Sequence, residues 1–62
     1  SDSASILPII DGLMSEYPKE VELFKSGKTK LLGFFVGQLM KRTKGKADPK
    51  LANKLLSEKL NG

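Results

Sequence analysis

Residues 31–40 read Leu-Leu-Gly-Phe-Phe-Val-Gly-Gln-Leu-Met, and this uncharged stretch decides the fold. Its apolar side chains lie almost all the way round a helix, a pattern that predicts a central, buried helix. The stretch is half as long as the ~20 apolar residues that a membrane-spanning helix needs. We therefore expect the core of a small domain here, and neither a membrane span nor a membrane partner.

Helical periodicity continues on both sides of this stretch. An apolar stripe from Ile6 to Tyr17 recurs at helical spacing and predicts a first helix. Asp48 followed by Pro49 is a strong start signal for a last helix, because an N-cap acceptor then precedes a proline at the first helical position. The sequence predicts an all-α fold, a small bundle of three to four short helices in a single domain. The predicted helices cover about residues 1–17, 18–27, 29–44 and 48–60.

The ends of these helices are predicted from single residues. Ser5 is the expected N-cap of the first helix, which places Pro8 in the first turn, where amide donors have no partner inside the helix. Pro18 fits the first position of the second helix. Thr29 is the expected N-cap of the third helix, and Gly45 is expected at its C′ position, where glycine adopts a left-handed conformation without steric cost.

The composition excludes several kinds of site. The chain of 62 residues has no cysteine and no histidine. That excludes disulfides, thiolate and imidazole metal sites, a cysteine nucleophile and a triad with a histidine base. We therefore expect no catalytic site, no metal and no cofactor in these residues. No signal peptide pattern opens the chain, and we expect a cytoplasmic module that acts by binding.

The charge distribution is uneven. The net charge of +4 combines 11 basic residues with 7 acidic ones. Residues 1–27 hold two lysines and five acids, whereas residues 28–62 hold nine basic residues and two acids. Such asymmetry indicates an anionic partner for the second half of the chain, although lysines that only solubilise a small bundle would give the same counts.

A basic cluster at the end of the third helix is the main candidate for binding. Residues 41–46 read Lys-Arg-Thr-Lys-Gly-Lys, with four cations in six residues. Cations at a helix C-terminus complement the helix dipole, but that accounts for one or two charges and not for four. Lysines before this helix and after it extend the cluster. The predicted RNA-binding residues are Lys28, Lys30, Lys41, Arg42, Lys44, Lys46 and Lys50.

Two glycines and a glutamine inside the third helix need an explanation. Gly33 and Gly37 lie one turn apart, and each costs about 1 kcal/mol relative to alanine in a helix interior. A glycine stripe lets another backbone approach closely, and we expect tight packing against another helix rather than contact with a ligand. The amide of Gln38 is expected to cap an internal backbone group, with contact to a sugar hydroxyl or a base edge as the alternative.

The order of these motifs resembles a known family, the C-terminal GatB/YqeY domain. The resemblance covers roughly Tyr17 to Leu60, and its Gly-Phe-Phe-Val-Gly-Gln form is closer to the tail of the B subunit of the aspartyl/glutamyl-tRNA(Asn/Gln) amidotransferase than to free-standing YqeY-like proteins. Arg42 and Asp48 depart from the family pattern, in which a small residue and asparagine are expected. The motif positions that match include Gly33, Gly37, Gln38, Met40, Lys41, Thr43, Gly45, Lys46 and Pro49.

The resemblance implies a tRNA-binding tail without catalytic machinery of its own. The whole enzyme has three subunits and uses ATP and glutamine to amidate mischarged Asp-tRNA(Asn) and Glu-tRNA(Gln). The glutaminase site belongs to the A subunit, and the kinase and transamidase site belongs to the large N-terminal part of the B subunit. The implied partners are folded tRNA at its outer corner, the remainder of the B subunit, and the A and C subunits.

Two other interpretations stay open at this point. The chain could be a protein-docking module, held against the rest of the B subunit by its glycine stripe or its acidic first half. It could also be a fragment of a free-standing YqeY-like protein. A basic helix lying on an anionic membrane is disfavoured, because the basic residues do not flank an exposed apolar face.

Overall fold

The computed structural model describes residues 3–61, which form four helices joined by short turns. The predicted all-α class is confirmed, and no strand occurs between residues 3 and 61. The start of the first helix was expected at residue 1, which lies outside the described residues. The helices are α1 Ser3–Glu16, α2 Pro18–Lys25, α3 Leu31–Arg42 and α4 Pro49–Asn61.

Helix α1 begins earlier than predicted. Its first described residue is Ser3, so the prediction of Ser5 as the N-cap is wrong. Pro8 therefore lies inside the helix rather than in its first turn. Because proline lacks an amide hydrogen, it can give no hydrogen bond to the carbonyl of Ala4, one turn before it. The helix continues to Glu16 without this one hydrogen bond.

The boundary between α1 and α2 follows from a proline. Tyr17 has φ −123° and ψ 60°, outside the helical region, as expected of a residue that precedes proline. Pro18 is the first residue of α2, which confirms its predicted position. Gly27 follows the end of α2 with φ 123°, a conformation that glycine adopts more readily than any other residue.

Helix α3 begins two residues later than predicted. Thr29 is not its N-cap; Lys30 holds that position and its side chain makes no capping hydrogen bond. The amide of Leu32 donates to the carbonyl of Thr29 at 3.0 Å, and the amide of Gly33 donates to that of Lys30 at 3.2 Å. These three-residue turns satisfy the first amides with backbone carbonyls, so no side-chain cap is needed.

Helix α4 begins as the sequence predicts. Pro49 is its first residue, and the carboxylate of Asp48 accepts a hydrogen bond from the amide of Lys50 at 3.0 Å. The carbonyl of Asp48 accepts from the amide of Ala52 at 2.8 Å, the first full helical bond. Asp48 is therefore the predicted N-cap.

Helix α3 contacts each of the other three helices and contributes the centre of the core. Phe35 and Leu39 on one face are fully buried, whereas Gly33 and Gly37 on the opposite face are exposed. The expectation that α3 is buried all round is therefore wrong, because three short helices cover only part of its circumference. The other buried residues are Ile6, Ile10, Leu13, Phe24, Ala47, Ala52, Leu56 and Leu60.

Substitutions of two adjacent phenylalanines test whether α3 is buried on one side only. Phe35 is 0% exposed, whereas Phe34 is half-buried against Tyr17, with ring centroids 5.1 Å apart. We expect Phe35→Ala to lower the free energy of unfolding by about 3–5 kcal/mol, because a large cavity is left behind. Phe34→Ala should cost clearly less. Urea unfolding followed by circular dichroism measures both, and equal losses would contradict the one-sided burial.

Candidate nucleic-acid interface

The predicted RNA-binding residues lie at the two ends of α3. The helix has 12 residues and is therefore about 18 Å long. Lys28 and Lys30 precede its N-terminus, and Lys50 lies in the first turn of α4; all three are exposed. Lys28 and Lys30 are thus separated along α3 from the other candidates, and Lys50 follows the turn after the C-terminal end of this helix. The group at the C-terminal end of α3, also exposed, consists of Lys41, Arg42, Lys44 and Lys46.

Helix α3 ends in a turn with two successive left-handed residues. The amide of Gly45 donates to the carbonyl of Met40 at 2.8 Å, and the amide of Lys44 donates to that of Lys41 at 3.2 Å. This is the Schellman pattern of hydrogen bonds, in which the first left-handed residue is C′. Lys44 holds that position with φ 57°, and Gly45 follows with φ 77°. The prediction of Gly45 at C′ is wrong by one residue, and a lysine carries the unfavourable conformation.

The hydroxyl of Thr43 holds the turn between α3 and α4. It lies 3.0 Å from the carbonyl oxygen of Leu39 and 3.3 Å from that of Met40, to which it can donate. It also accepts a hydrogen bond from the amide of Ala47 at 3.3 Å. Ala47 is 3% exposed and anchors the far side of the turn in the core. The lysines of this turn therefore project from an ordered backbone, which reduces the entropy lost when they bind a partner.

Arg42 is already engaged within the chain. Its guanidinium donates a hydrogen bond to the carboxylate of Glu16 in α1, and the two form an ion pair. This hydrogen bond raises the pKa of Arg42 above its ordinary value, so the side chain stays charged. Any phosphate that approaches Arg42 competes with Glu16 for it. Its role as an RNA contact stays a prediction.

The acidic first half of the chain neutralises few of the lysines. Besides the pair of Arg42, the described residues hold one other ion pair, between Lys59 and Asp11, with Nζ 3.3 Å from the carboxylate oxygen. The predicted lysines form no ion pair within the described part of the chain. Their charges are therefore available to an external anion.

The glycines of α3 face solvent. A Cβ atom added at Gly33 or Gly37 would meet no other atom within 4 Å. No described helix therefore packs against them, and their predicted packing against another helix stays a prediction. Gln38, on the same helix, is half-buried and makes no hydrogen bond to any residue between 3 and 61. The expected internal cap is wrong, and the alternative of an external contact remains.

Helix α4 adds Lys54 and Ser57 to the candidate residues that the sequence indicates. One shallow groove lies between α3 and α4, and a second lies along α4 beside it. Asn53 lines both of them. The spacing of Lys50 and Lys54, one helical turn apart, was the signal that could have identified this surface. The first groove is lined by Leu32, Gly33, Val36, Pro49 and Asn53, and the second by Lys50, Asn53, Lys54 and Ser57.

The surface chemistry of the described residues suits electrostatic binding. No polar or charged side chain between residues 4 and 61 is buried. In the same part of the chain no group of three or more aspartates or glutamates is placed to hold a metal ion. None of the described helices is long and apolar enough to cross a membrane. What the arrangement offers is a set of exposed lysines on short helices and on the turns between them.

Comparison with known proteins gives a single family. The sequence model described as the GatB domain matches residues 1–60. The chain is 81% identical over its whole length to the B subunit of the aspartyl/glutamyl-tRNA(Asn/Gln) amidotransferase of Prochlorococcus marinus strain MIT 9312, covering 13% of that protein. It is 84% identical, over 98% of its length, to the subunit of the same name from Prochlorococcus marinus subsp. pastoris, covering 12% of it. The corresponding B subunit of Synechococcus sp. strain CC9902 is 66% identical over the whole chain.

The chain spans only a small part of these relatives, 12–13% of their length. No solved structure gives a significant match.

The left-handed lysine yields a stability prediction. Lys44→Gly should raise the free energy of unfolding by about 1 kcal/mol, because glycine adopts this conformation without the clash of a Cβ atom. Lys46→Gly removes the same charge at a residue without a positive φ, and it should bring no gain. Thermal and urea unfolding of the two variants measure the difference. Equal effects at the two positions would contradict the strain assigned to Lys44.

Proposed function

The chain belongs to the GatB domain family, and on this premise we propose that it is the tRNA-binding domain of the B subunit of an amidotransferase. In this proposal it holds the outer corner of a folded, mischarged tRNA and so positions the acceptor end for transamidation. The enzyme is glutamine-dependent and ATP-driven, converts Asp-tRNA(Asn) and Glu-tRNA(Gln), and works in the cytoplasm. Its catalytic sites, ATP and glutamine belong to the rest of the B subunit and to the A and C subunits.

One observation carries the proposal: the lysines of the second half of the chain are exposed, and all but Lys59 form no ion pair with any described residue. Residues 28–62 hold nine basic residues and two acids, and only Arg42 and Lys59 are paired within the described part. An unneutralised basic surface binds the phosphate backbone of nucleic acids. The names of the relatives, tRNA amidotransferases, support tRNA as the nucleic acid and favour the subunit over a free-standing YqeY-like protein.

The aromatic residues support recognition of RNA by shape. Phe24 and Phe35 are buried, while Tyr17 and Phe34 pack edge-to-face against each other. Between residues 4 and 61, therefore, no exposed aromatic ring offers a platform on which single-stranded bases could stack. A folded RNA recognised through its backbone and its shape fits this surface better.

The test is a triple variant, Lys41→Gln, Lys44→Gln and Lys46→Gln. If each lysine contacts a phosphate, the slope of log K against log salt should become shallower by about two to three units. Binding of fluorescent tRNA, measured at salt concentrations from about 50 to 200 mM, gives both the affinity and the slope.

A matched control removes the same number of charges elsewhere: Lys19→Gln, Lys25→Gln and Lys59→Gln. It should keep most of the affinity and the slope, because two of these lysines lie on α2 among acids and the third is paired with Asp11. An unchanged affinity and slope in the first triple variant would refute tRNA binding through the lysines that it replaces.

A second candidate function, docking onto the rest of the B subunit, is favoured by the exposed glycines. Each glycine inside α3 destabilises the helix, and neither packs against anything in the described chain. A partner backbone that approaches this face closely would explain why no side chain stands there. The bulk of the relatives' length lies outside this chain and supplies such a partner.

Substitution of Gly33 by leucine distinguishes docking onto the subunit from tRNA binding. Gly33→Leu should abolish association with the remainder of the subunit and spare tRNA affinity if the face is a docking site. The fold should survive, because leucine favours helices more than glycine and has open space there. Gly12→Leu, at an exposed glycine of α1 with equally open space, is the control. Pull-down of the remainder of the subunit measures association for both variants, and titration with tRNA measures their RNA affinity. If Gly33→Leu still associates with the remainder of the subunit, docking through this face is ruled out.

A further inference from the structure

Helix α4 presents a basic and polar face that takes no part in the core. Ala52, Leu56 and Leu60 point inward and are fully buried. On another side of the helix lies a shallow groove with a polar lining. We call it the α4 face, and its residues are Lys50, Asn53, Lys54 and Ser57.

The charges of the two lysines of the α4 face do not stabilise the helix. Lys50 and Lys54 lie one turn apart, where like charges repel and destabilise a helix. Neither forms an ion pair in the described chain, and Glu58, one turn after Lys54, does not pair with it. Lys59, on a different side of the same helix, does pair with an acid. The α4 face therefore keeps two adjacent positive charges without compensation.

The two lysines are spaced for one strand of nucleic acid. Four residues along a helix rise about 6 Å, a distance comparable with that between neighbouring phosphates of one strand. Lys50 follows directly from the turn that carries Lys44 and Lys46, so the α4 face continues that basic surface. A strand that leaves the turn can therefore run along α4.

Asn53 lies where that strand would meet α3. It lines both the α4 face and the groove that holds Gly33 and Val36. The residue is exposed, and its amide makes no hydrogen bond to any residue between 3 and 61. An asparagine amide offers two donors and an acceptor, which suits a ribose hydroxyl, itself both donor and acceptor. Ser57 accepts a hydrogen bond from Asn61 at 3.3 Å and closes the far end.

We propose that the α4 face binds the sugar-phosphate backbone of RNA, with Lys50 and Lys54 on neighbouring phosphates and the amide of Asn53 on a ribose 2′-hydroxyl. The inference rests on the proposed function and adds a specificity-determining residue to it. Lysines alone attract RNA and DNA alike, whereas a contact with the 2′-hydroxyl distinguishes the two.

The first experiment compares two lysines of the same helix in the full 62-residue chain. Lys54→Gln should weaken binding of folded tRNA several-fold and make the salt slope shallower by about one unit. Lys59→Gln removes the same charge from a paired lysine and should leave the slope unchanged. Circular dichroism of both variants checks that the helices are intact. Equal slopes in the two variants would overturn the assignment of Lys54.

The second experiment tests Asn53 with a short RNA hairpin and a DNA hairpin of the same sequence. Asn53→Ala should weaken RNA binding several-fold and leave DNA binding unchanged, which lowers the preference for RNA. Ser15→Ala, at an exposed polar residue of α1 and so outside the α4 face, is the control. A loss that is equal for RNA and DNA, or no loss, overturns the 2′-hydroxyl contact.

The outcomes separate this inference from the function on which it rests. If neither the triple variant of Lys41, Lys44 and Lys46 nor Lys54→Gln changes tRNA binding, the proposed function fails, and the α4 face fails with it. If the triple variant loses affinity while Lys54→Gln behaves like Lys59→Gln, the chain binds RNA and only the α4 face is refuted.

Discussion

The burial of one face of α3 is the constraint on which the rest of the structure depends. Phe35 and Leu39 point into the centre, where α1, α2 and α4 enclose them. None of the other described helices covers the opposite face, and Gly33 and Gly37 are exposed there. The same packing fixes where α3 ends, and therefore where the lysines beyond its ends can be. The core thus lies along one face of α3, whereas the candidate interface lies at its ends and on α4.

The turn between α3 and α4 connects the core to the basic surface. Ala47 is buried, and its amide is bound by Thr43, which in turn lies within reach of the last carbonyls of α3. Within this short connection the backbone passes through two left-handed residues. This ordered backbone fixes where the lysines leave the surface, so only their side chains remain to be ordered when a partner binds. Arg42 is the exception, because its charge is shared with Glu16.

Much of the fold could be predicted from the sequence, because it depends on local signals. Proline positions and the Asp48–Pro49 pair identified helix starts, and apolar periodicity identified the four helices. The predictions failed where the backbone did not need the expected residue. Backbone carbonyls accept hydrogen bonds from the first amides of α3, where the side chain of Thr29 was the predicted cap. At the end of α3, Lys44 adopts the left-handed C′ conformation that was predicted for Gly45. The solvent exposure of the glycines could not be predicted, because it depends on how three other helices are placed. The pair of Arg42 and Glu16, far apart in sequence, depends on the same packing.

The left-handed conformation of Lys44 has a stereochemical consequence. At φ 57° its backbone has the handedness that a D-amino acid prefers. The twenty encoded residues can supply either glycine, which fits this backbone but has no charge, or an L-lysine, which has the charge but is strained. D-lysine would combine both, and in a chain short enough for chemical synthesis it can be introduced. D-lysine would therefore relieve the strain and keep the charge, whereas an encoded substitution such as Lys44→Gln only removes the charge and Lys44→Gly removes both.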